Sequence, residues 1–267
     1  MKICESLRSQ LIGDKTPLDP ASPSDALTPP RKLIDVIGGG DFDVIGREFF
    51  RHFTGIGGLQ PQHRVLDVGC GCGRMAVPLI SFLKGTGEYW GFDIVPAAIQ
   101  WSRENITARH PQFHFELADI FNKVYNPKGK KQSGEYHFPH PDKFFDFTFL
   151  TSVFTHMLAA HMEHYLSEIA RTLKPGGRCL ISFFLLNAES RGLMERGQSN
   201  PVFRHSFPDC VVSNADAPEA AVAYDEQFIR QRLGKHGLQL VEPVHYGSWP
   251  GRKKFLSYQD ILLATRP

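Results

Sequence analysis

The chain has 267 residues, of which 42% are hydrophobic and 22% charged, a composition that suits one large globular α/β domain. Its formal net charge of +2 gives no general attraction to nucleic acids or acidic membranes. No apolar run reaches the roughly 18 residues of a membrane helix, the first residues lack the apolar core of a secretory signal, and the five cysteines are scattered, so we expect a cytoplasmic protein with reduced thiols and no membrane segment.

The first predicted segment is a flexible lead-in over residues 1–40, because residues 13–31 are rich in Pro, Ser and Asp. Apolar residues then recur at helical spacing from Phe42 to Ile56. This pattern predicts an amphipathic helix that ends at Gly57–Gly58 and opens a domain spanning 41–267.

Strand-like and helical stretches alternate after residue 63. The predicted strands are 64–69, 88–95, 113–119, 143–152 and 178–186, and the predicted helices are 74–85, 96–110 and 161–177. Such alternation indicates βαβ units around a parallel sheet. Two further predicted strands, 239–247 and 256–266, are separated only by SWPGRKKF. That connection is too short for a crossover helix, so we expect this last pair to be antiparallel.

Two stretches interrupt the alternation. Residues 187–224 show no clear period, and we expect a cap or lid insertion there. Residues 122–142 form an unusually long connection that is either a disordered tip or a cover over a site. The side chains expected to line a pocket beyond the fourth and sixth strands include Thr151, Ser152, Phe154, His245, Tyr246 and Trp249.

The sequence VLDVGCGCGR, residues 65–74, joins a predicted strand to a predicted helix. Glycines there let the backbone approach a ligand closely. A dinucleotide site would want G-x-G-x-x-G, but Arg74 occupies the position of the third glycine. The spacing suits a ligand without a pyrophosphate, whose positive amino group Asp67 could attract. We expect no metal, because Cys70 and Cys72 have no second pair at ligand spacing.

These residues resemble motif I of the class I S-adenosylmethionine-dependent methyltransferases, and further motifs follow in the family's order: GFDIV, LADIF, FDFTFLTSVFTHM and LKPGGRCLISFF. The whole chain is also similar to uncharacterised bacterial methyltransferases with the pattern GREFFRHF, LTSVFTHM and SYQDI, a likeness that names no substrate. The resemblance implies a Rossmann-like, seven-stranded, mostly parallel sheet with an antiparallel last strand and helices on both faces.

The resemblance also implies that S-adenosyl-L-methionine is the cofactor and S-adenosyl-L-homocysteine the product. In the family, the acid at the position of Asp93 accepts the ribose hydroxyls. In the family, the side chain at the position of Asp119 reaches the amino group of the adenine, and the neighbouring backbone, here that of Ile120, assists. The residues implied to bind the cofactor are Asp67, Gly69, Gly71, Gly73, Asp93, Ile94, Asp119, Ile120, Leu150 and Thr151.

The function implied is methyl transfer to an O, N or C nucleophile of a small-molecule or peptidyl acceptor. His156 is the candidate base if one is used, and the alternative is a histidine at a helix start or in a packing contact. Two alternatives stay open. One is a cofactor-binding protein of this fold without chemistry. The other is a nucleic-acid methyltransferase, which we do not expect because no broad basic face is evident. The oligomeric state is left open.

Overall fold

A seven-stranded sheet forms the centre of the structure, a computed structural model that describes residues 27–123 and 125–267. The strands of the two sheets in these ranges are β1 (Arg64–Val68), β2 (Glu88–Asp93), β3 (Phe113–Leu117), β4 (Phe145–Leu150), β5 (Leu173–Phe183), β6 (Leu185–Leu186), β7 (His205–Phe207), β8 (Cys210–Val212), β9 (Val222–Asp225), β10 (Gln239–His245) and β11 (Asp260–Thr265). The α-helices are α1 (Arg31–Val36), α2 (Phe42–Thr54), α3 (Ala76–Leu79), α4 (Pro96–Ser102), α5 (Ala159–Thr172), α6 (Ala188–Glu195) and α7 (Glu226–Lys235).

The strand order of the central sheet is β10-β11-β5-β4-β1-β2-β3. Strand β1 pairs in parallel with β2 and β4, and β3 and β5 extend the parallel sheet on either side. Strand β11 runs antiparallel to both of its neighbours, β5 and β10. The predicted Rossmann-like sheet with an antiparallel last strand is therefore confirmed. The strand order reverses between β1 and β4, which is where ligands bind in open α/β sheets.

Helices cover both faces of the sheet, as predicted. On one face, Phe53 of α2 stacks on Phe149 of β4 with ring centroids 4.1 Å apart, in a core that α3 and α4 also enter. The other core joins β1 and β4 to α5 and α7. Alternate residues of one strand reach the two cores: Val65 packs on the first and Leu66 on the second. This alternation follows from the period of two in a strand.

The predicted lead-in is ordered over the residues described there. Leu27 and Ile34 are buried in the same core as α2, and α1 carries Ile34. This differs from a flexible segment reaching to residue 40, because these apolar side chains bury their surface against the domain. Residues 1–26 of the predicted lead-in lie outside the described residues.

The aperiodic stretch 187–224 contains α6 and most of a second sheet, of order β6-β9-β8-β7. Its small core packs Phe184 and Phe203 around the indole of Trp249. Asp260 at the start of β11 accepts hydrogen bonds from Trp249 Nε1 at 2.6 Å and Leu185 N at 2.7 Å. Strand β6 of the second sheet and the indole of Trp249 are thus both bonded to the main sheet through the buried carboxylate of Asp260.

The long connection 122–142 also packs on the domain. Tyr136 and Phe138 are buried in the main core. His161 on α5 bonds Ser133 Oγ through Nδ1 at 2.8 Å, and Nε2 of His164 donates to the Tyr136 carbonyl at 3.0 Å. The second half of this connection is therefore a docked cover for α5.

Candidate active site

A cavity of about 700 Å³ lies at the carboxyl ends of β1, β2 and β4, at the point where the strand order reverses. Pockets that hold small ligands commonly enclose roughly 300–1,000 Å³. Helix α2, the segment before it, the insertion 187–224 and the loop before β11 complete the wall.

The glycine loop, residues 69–73, forms part of the cavity wall at the end of β1. Gly69 and Gly73 both have φ +79°, a backbone conformation that residues with a side chain rarely adopt. A Cβ atom on Gly69 would stand 2.5 Å from Val153 Cγ2, and one on Gly73 would stand 2.6 Å from Ile106 Cδ1. Gly69 and Gly71 line the cavity, whereas Gly73 is packed beneath the loop and does not line it.

Asp67, the acid of motif I, is buried at the end of β1 with 1% of its surface exposed. Its Oδ2 accepts a hydrogen bond from the Tyr89 hydroxyl at 2.6 Å, while Oδ1 has no partner among the described residues. Burial raises the pKa of Asp67 to about 8; the Tyr89 hydrogen bond opposes the rise and the nearby Asp93 adds to it. Asp67 lines the cavity, so a cationic donor placed there would supply the missing partner.

Asp93, at the end of β2, has both carboxylate oxygens fixed by the backbone. Oδ2 accepts from Gly71 N at 2.8 Å and Oδ1 from Val95 N at 2.9 Å. Burial raises its pKa, and these backbone donors together with that of Ile94 oppose the rise. The carboxylate therefore braces the glycine loop as well as facing the cavity, a coupling that the sequence alone does not reveal.

Arg74 lines the cavity, although the sequence analysis notes it only as the residue in place of the third glycine of a dinucleotide motif. Among the described residues that line the cavity, it is the one lysine or arginine. Its Nη2 donates to Gly39 O at 2.5 Å, while its buried Nε has no partner among the described residues. Burial lowers the pKa of the guanidinium. A ligand carboxylate would complement this charge.

The other predicted cofactor residues divide into two groups. Ile94, Ile120 and Thr151 line the cavity. Leu150 does not, because it is buried in the main core beneath it. Asp119 does not line it either: the side chain is exposed and its Oδ1 accepts from Lys130 N at 3.3 Å. The connection 122–142 folds back on the end of β3 and bonds Asp119 through the backbone N–H groups of Lys130 and Lys131.

His156 lines the cavity from the 3-10 turn Phe154–His156 after β4. Its Nδ1 lies 3.0 Å from the backbone carbonyl of Glu219 in the insertion. Because a carbonyl only accepts, Nδ1 is the donor, and in the neutral ring Nε2 holds the lone pair. The same contact therefore sets the tautomer and ties the insertion to the wall.

The wall that contains His156 also contains polar residues from distant parts of the chain. Gln259 Oε1 accepts from Ser182 Oγ at 2.6 Å and from Ser152 Oγ at 3.1 Å. Ser257 Oγ donates to Glu48 Oε1 on α2 at 2.5 Å. We call this wall the β4–β11 side and define it by Glu48, Ser152, His156, Ser257 and Gln259. We call the opposite wall the β1–β2 side and define it by Asp67, the glycine loop and Asp93.

Further bonds hold the insertion over the cavity. The Tyr258 hydroxyl donates to the backbone carbonyl of Asn200, and Asn122 Nδ2 lies 3.4 Å from Glu219 Oε2. The expectation that Tyr246 and Trp249 line the cavity is wrong. Trp249 is buried in the core of the insertion, and the Tyr246 hydroxyl bonds Glu226. Both are directed into packing contacts outside the cavity wall.

Over the ranges that the structure describes, no group of three or more His, Cys, Asp or Glu side chains is arranged to hold a metal ion. Cys70 and Cys72 are buried, and burial raises the pKa of both thiols. Within the same ranges, every helix is too short or too polar to cross a membrane.

The sheet order, the glycine loop and the acids at the ends of β1 and β2 define a class I S-adenosylmethionine-dependent methyltransferase. A family model described as "Methyltransferase domain" matches residues 59–203, more than half of the chain, so the chain belongs to that family. The predicted class, and with it S-adenosylmethionine as the methyl donor, is confirmed.

Two curated relatives show how far the similarity extends. The chain is 28% identical over 127 residues to the ubiquinone/menaquinone biosynthesis C-methyltransferase UbiE of Cupriavidus taiwanensis, covering 48% of this chain and 45% of that protein. It is 25% identical over 125 residues to the tRNA N(3)-cytidine methyltransferase METTL2 of Gallus gallus, covering 46% of this chain and 31% of that protein. The matches thus span less than half the length of these relatives.

A solved structure is similar over a larger share of the chain. It is the magnesium protoporphyrin IX methyltransferase of Synechocystis PCC 6803 with bound S-adenosylhomocysteine, with a TM-score of 0.53 and 16% identity. The alignment covers 89% of this chain and 98% of that one. At this identity the likeness shows a shared fold.

Proposed function

We propose that the chain transfers the methyl group of S-adenosylmethionine to an O, N or C nucleophile of a small-molecule acceptor or a peptidyl side chain. The observation that carries the proposal is the unpartnered Oδ1 of Asp67, a buried carboxylate oxygen beside the glycine loop. A buried polar atom without a partner costs free energy unless a ligand satisfies it.

The β1–β2 side and the adjoining Arg74 supply partners for the charged groups of the methionine part and for the ribose of the cofactor. Asp67 receives the methionine ammonium, and Arg74 its carboxylate, through the Nε that lacks a protein partner. Asp93 keeps acceptor capacity for the ribose hydroxyls, because each oxygen takes one backbone donor in the free protein. Ile94 and Ile120 offer apolar surface to the adenine.

The bound sulfonium supplies the reactivity, and the chain supplies binding, orientation and the exclusion of water. His156 is the candidate base, since its Nδ1 donates to Glu219 and leaves Nε2 to accept a proton. A base is needed only where the nucleophile carries a proton of high pKa. The insertion contributes Asn200 and Glu219 to the cavity wall, which favours an acceptor of modest size.

The charge of the wall disfavours a polyanionic acceptor. Glu48 and Glu219 line the cavity outside the proposed cofactor contacts, and among the described lining residues Arg74 is the one lysine or arginine. A phosphate backbone near this wall would be repelled. We therefore rank a nucleic-acid substrate, which the name of the METTL2 relative raises, below a small molecule.

The test is a calorimetric titration of the full chain with S-adenosylmethionine and S-adenosylhomocysteine. We expect saturable binding of both compounds. Formation of S-adenosylhomocysteine is then assayed with a panel of small amines, phenols and quinols and, in a separate arm, with unfractionated tRNA. Absence of binding would overturn the proposal, binding without turnover on any acceptor would favour the non-catalytic alternative, and turnover on tRNA alone would favour the nucleic-acid alternative.

A further inference from the structure

Glu48 lines the cavity from α2 and has no role in the cofactor contacts proposed above. Its Oε1 accepts the Ser257 hydroxyl at 2.5 Å and lies 3.5 Å from Nε2 of the buried His52. Its Oε2 makes no hydrogen bond to the described residues, and 34% of the side chain is exposed. One carboxylate oxygen is thus fixed by protein contacts, which leaves the other for a ligand.

The contacts of Glu48 place it on the β4–β11 side of the cavity. Its partner Ser257 is two residues from Gln259, which bonds Ser152 after β4 and Ser182 in β5. Asp67 and Asp93 instead lie at the ends of β1 and β2, across the point where the strand order reverses. Glu48 therefore lies on the wall away from the proposed cofactor contacts.

The charge of Glu48 is retained inside the cavity. Burial acts to raise its pKa, but the neighbouring His52, Ser257 and Arg51 together outweigh burial and leave the pKa lowered. The cofactor offers one ammonium and one sulfonium, and the unpartnered oxygen of Asp67 is the site for the ammonium. Glu48 then remains as an ionised carboxylate facing the acceptor space. Phe49, Phe184 and Tyr258 also line the cavity, and aromatic faces attract cations.

We infer that Glu48 binds a positively charged amine of the acceptor, so that the small molecule methylated here is an organic cation. The amine need not be the atom that receives the methyl group. This inference rests on the proposed function, since it assigns the acceptor space of the same cavity.

The test compares three probes of matched shape on the full chain saturated with S-adenosylhomocysteine: 2-phenylethylamine, 2-phenylethanol and 3-phenylpropanoate. Affinities are measured by calorimetry for the wild type, Glu48→Gln and the control Glu195→Gln, whose carboxylate is exposed outside the cavity. We expect the wild type and the control to bind the amine about tenfold or more tightly than the alcohol, since charge-assisted hydrogen bonds are the stronger ones. Glu48→Gln should abolish that preference and leave the affinity for S-adenosylhomocysteine unchanged.

Three results would overturn the inference: no binding of the amine to the wild type, equal binding of the alcohol or the carboxylate, or a preference for the amine that survives in Glu48→Gln. A loss of S-adenosylhomocysteine affinity in Glu48→Gln would assign Glu48 to the cofactor instead. An unchanged S-adenosylhomocysteine affinity in Glu48→Gln also shows that the cavity of this variant is folded. Failure of the wild type to bind S-adenosylhomocysteine is a separate result, which counts against the proposed function.

Discussion

The two sides of the cavity are held together over very different distances along the chain. On the β1–β2 side, the bonds from Tyr89 to Asp67 and from Gly71 to Asp93 each join residues 22 positions apart. On the β4–β11 side, the bond from Ser257 to Glu48 joins residues 209 apart, and the bond from Ser152 to Gln259 joins residues 107 apart. The first side is formed by consecutive βα turns, and the second by segments that only the complete fold brings together.

This difference separates two kinds of residue in one cavity. The β1–β2 side follows from the course of the sheet itself, and we propose that it binds the cofactor. The β4–β11 side depends on α2, the insertion and the loop before β11, which can vary without changing the sheet. Substitutions on the first side should therefore impair cofactor binding, and those on the second should impair turnover or the choice of acceptor.

The largest effect is expected on turnover, for His156→Ala. A positioned base contributes about 10²–10⁴-fold, so we expect kcat to fall by about 10²-fold or more with an acceptor whose nucleophile must lose a proton. The affinity for S-adenosylhomocysteine should change little, because His156 lies on the β4–β11 side. Steady-state kinetics and calorimetry on the same preparations measure the two quantities.

His156→Gln and Asn122→Ala separate proton transfer from the anchoring of the insertion. The glutamine amide can still donate to the Glu219 carbonyl but cannot act as the base, so it should be as slow as the alanine variant. Asn122→Ala removes the contact with the Glu219 side chain and the hydrogen bond that Asn122 Oδ1 accepts from Tyr125 N, but it leaves the imidazole in place and should keep most of the activity. Unchanged kcat in both His156 variants would make His156 a packing residue.

The next largest effect is on stability, for Gly69→Ala. The residue has φ +79°, and an added Cβ would stand 2.5 Å from Val153 Cγ2, so strain and steric overlap should together cost about 2–4 kcal/mol. Gly176→Ala is a matched control, because Gly176 has the same φ and nothing within 4 Å of its added Cβ. Urea unfolding should show a clearly smaller loss for the control. Equal losses would mean that φ alone, and not the contact with Val153, requires glycine at position 69.

The sequence predicts the β1–β2 side well because its determinants are local. Asp67 lies near the end of the first strand, the three glycines come at and after that end, and Asp93 ends the second strand, so strand assignment also positions these residues. Asp119 has the same local signature, yet it does not line the cavity. A β-bridge between Ile120 and Lys131 folds the connection 122–142 back on it. That contact is tertiary, and no strand pattern contains it.

The β4–β11 side could not be predicted for a physical reason. The apolar face of α2 is visible as a helical period, but the partner of Glu48 on the other face is set by packing against a loop 209 residues away. The second sheet could not be predicted either, because its strands are short: β6 has two residues, β7 and β8 have three each, and β9 has four. Strands of that length are too short to show a period.

A smaller effect is expected on cofactor affinity, where two acids at the ends of neighbouring strands can be compared. For Asp93→Ala we expect S-adenosylhomocysteine to bind about 1.5–3 kcal/mol more weakly, because buried ribose hydroxyls lose a charged acceptor and the glycine loop loses its brace. For Asp119→Ala we expect little change in affinity, since the exposed carboxylate only bonds Lys130 N. Calorimetry on both variants decides the point. A weaker affinity in Asp119→Ala than in Asp93→Ala would restore the role that the family resemblance assigned to Asp119.

The smallest effect is a dependence of cofactor affinity on pH. Because the pKa of Asp67 in the free protein is raised to about 8, the carboxyl is mostly protonated at neutral pH, and binding an ammonium there must release a proton. The stability that this carboxyl confers on the free protein is complete below its ordinary pKa and is lost as the pH rises through about 8. Binding has the opposite sign: affinity should rise with pH up to about 8, by at most about tenfold or ~1.4 kcal/mol per pH unit.

Titrations in buffers of different ionisation enthalpy, at several pH values between about 6 and 9, would count the released protons. In Asp67→Asn the proton release should vanish and the affinity should be low at every pH, because an amide side chain does not titrate in this range and carries no charge. In Asp93→Asn the release should persist, because Asp67 is intact, although removing the charge of Asp93 should lower the pH at which it occurs. A wild type that releases no proton at pH 7 would mean that the ammonium is bound elsewhere, and the β1–β2 side would then keep only its ribose and carboxylate contacts.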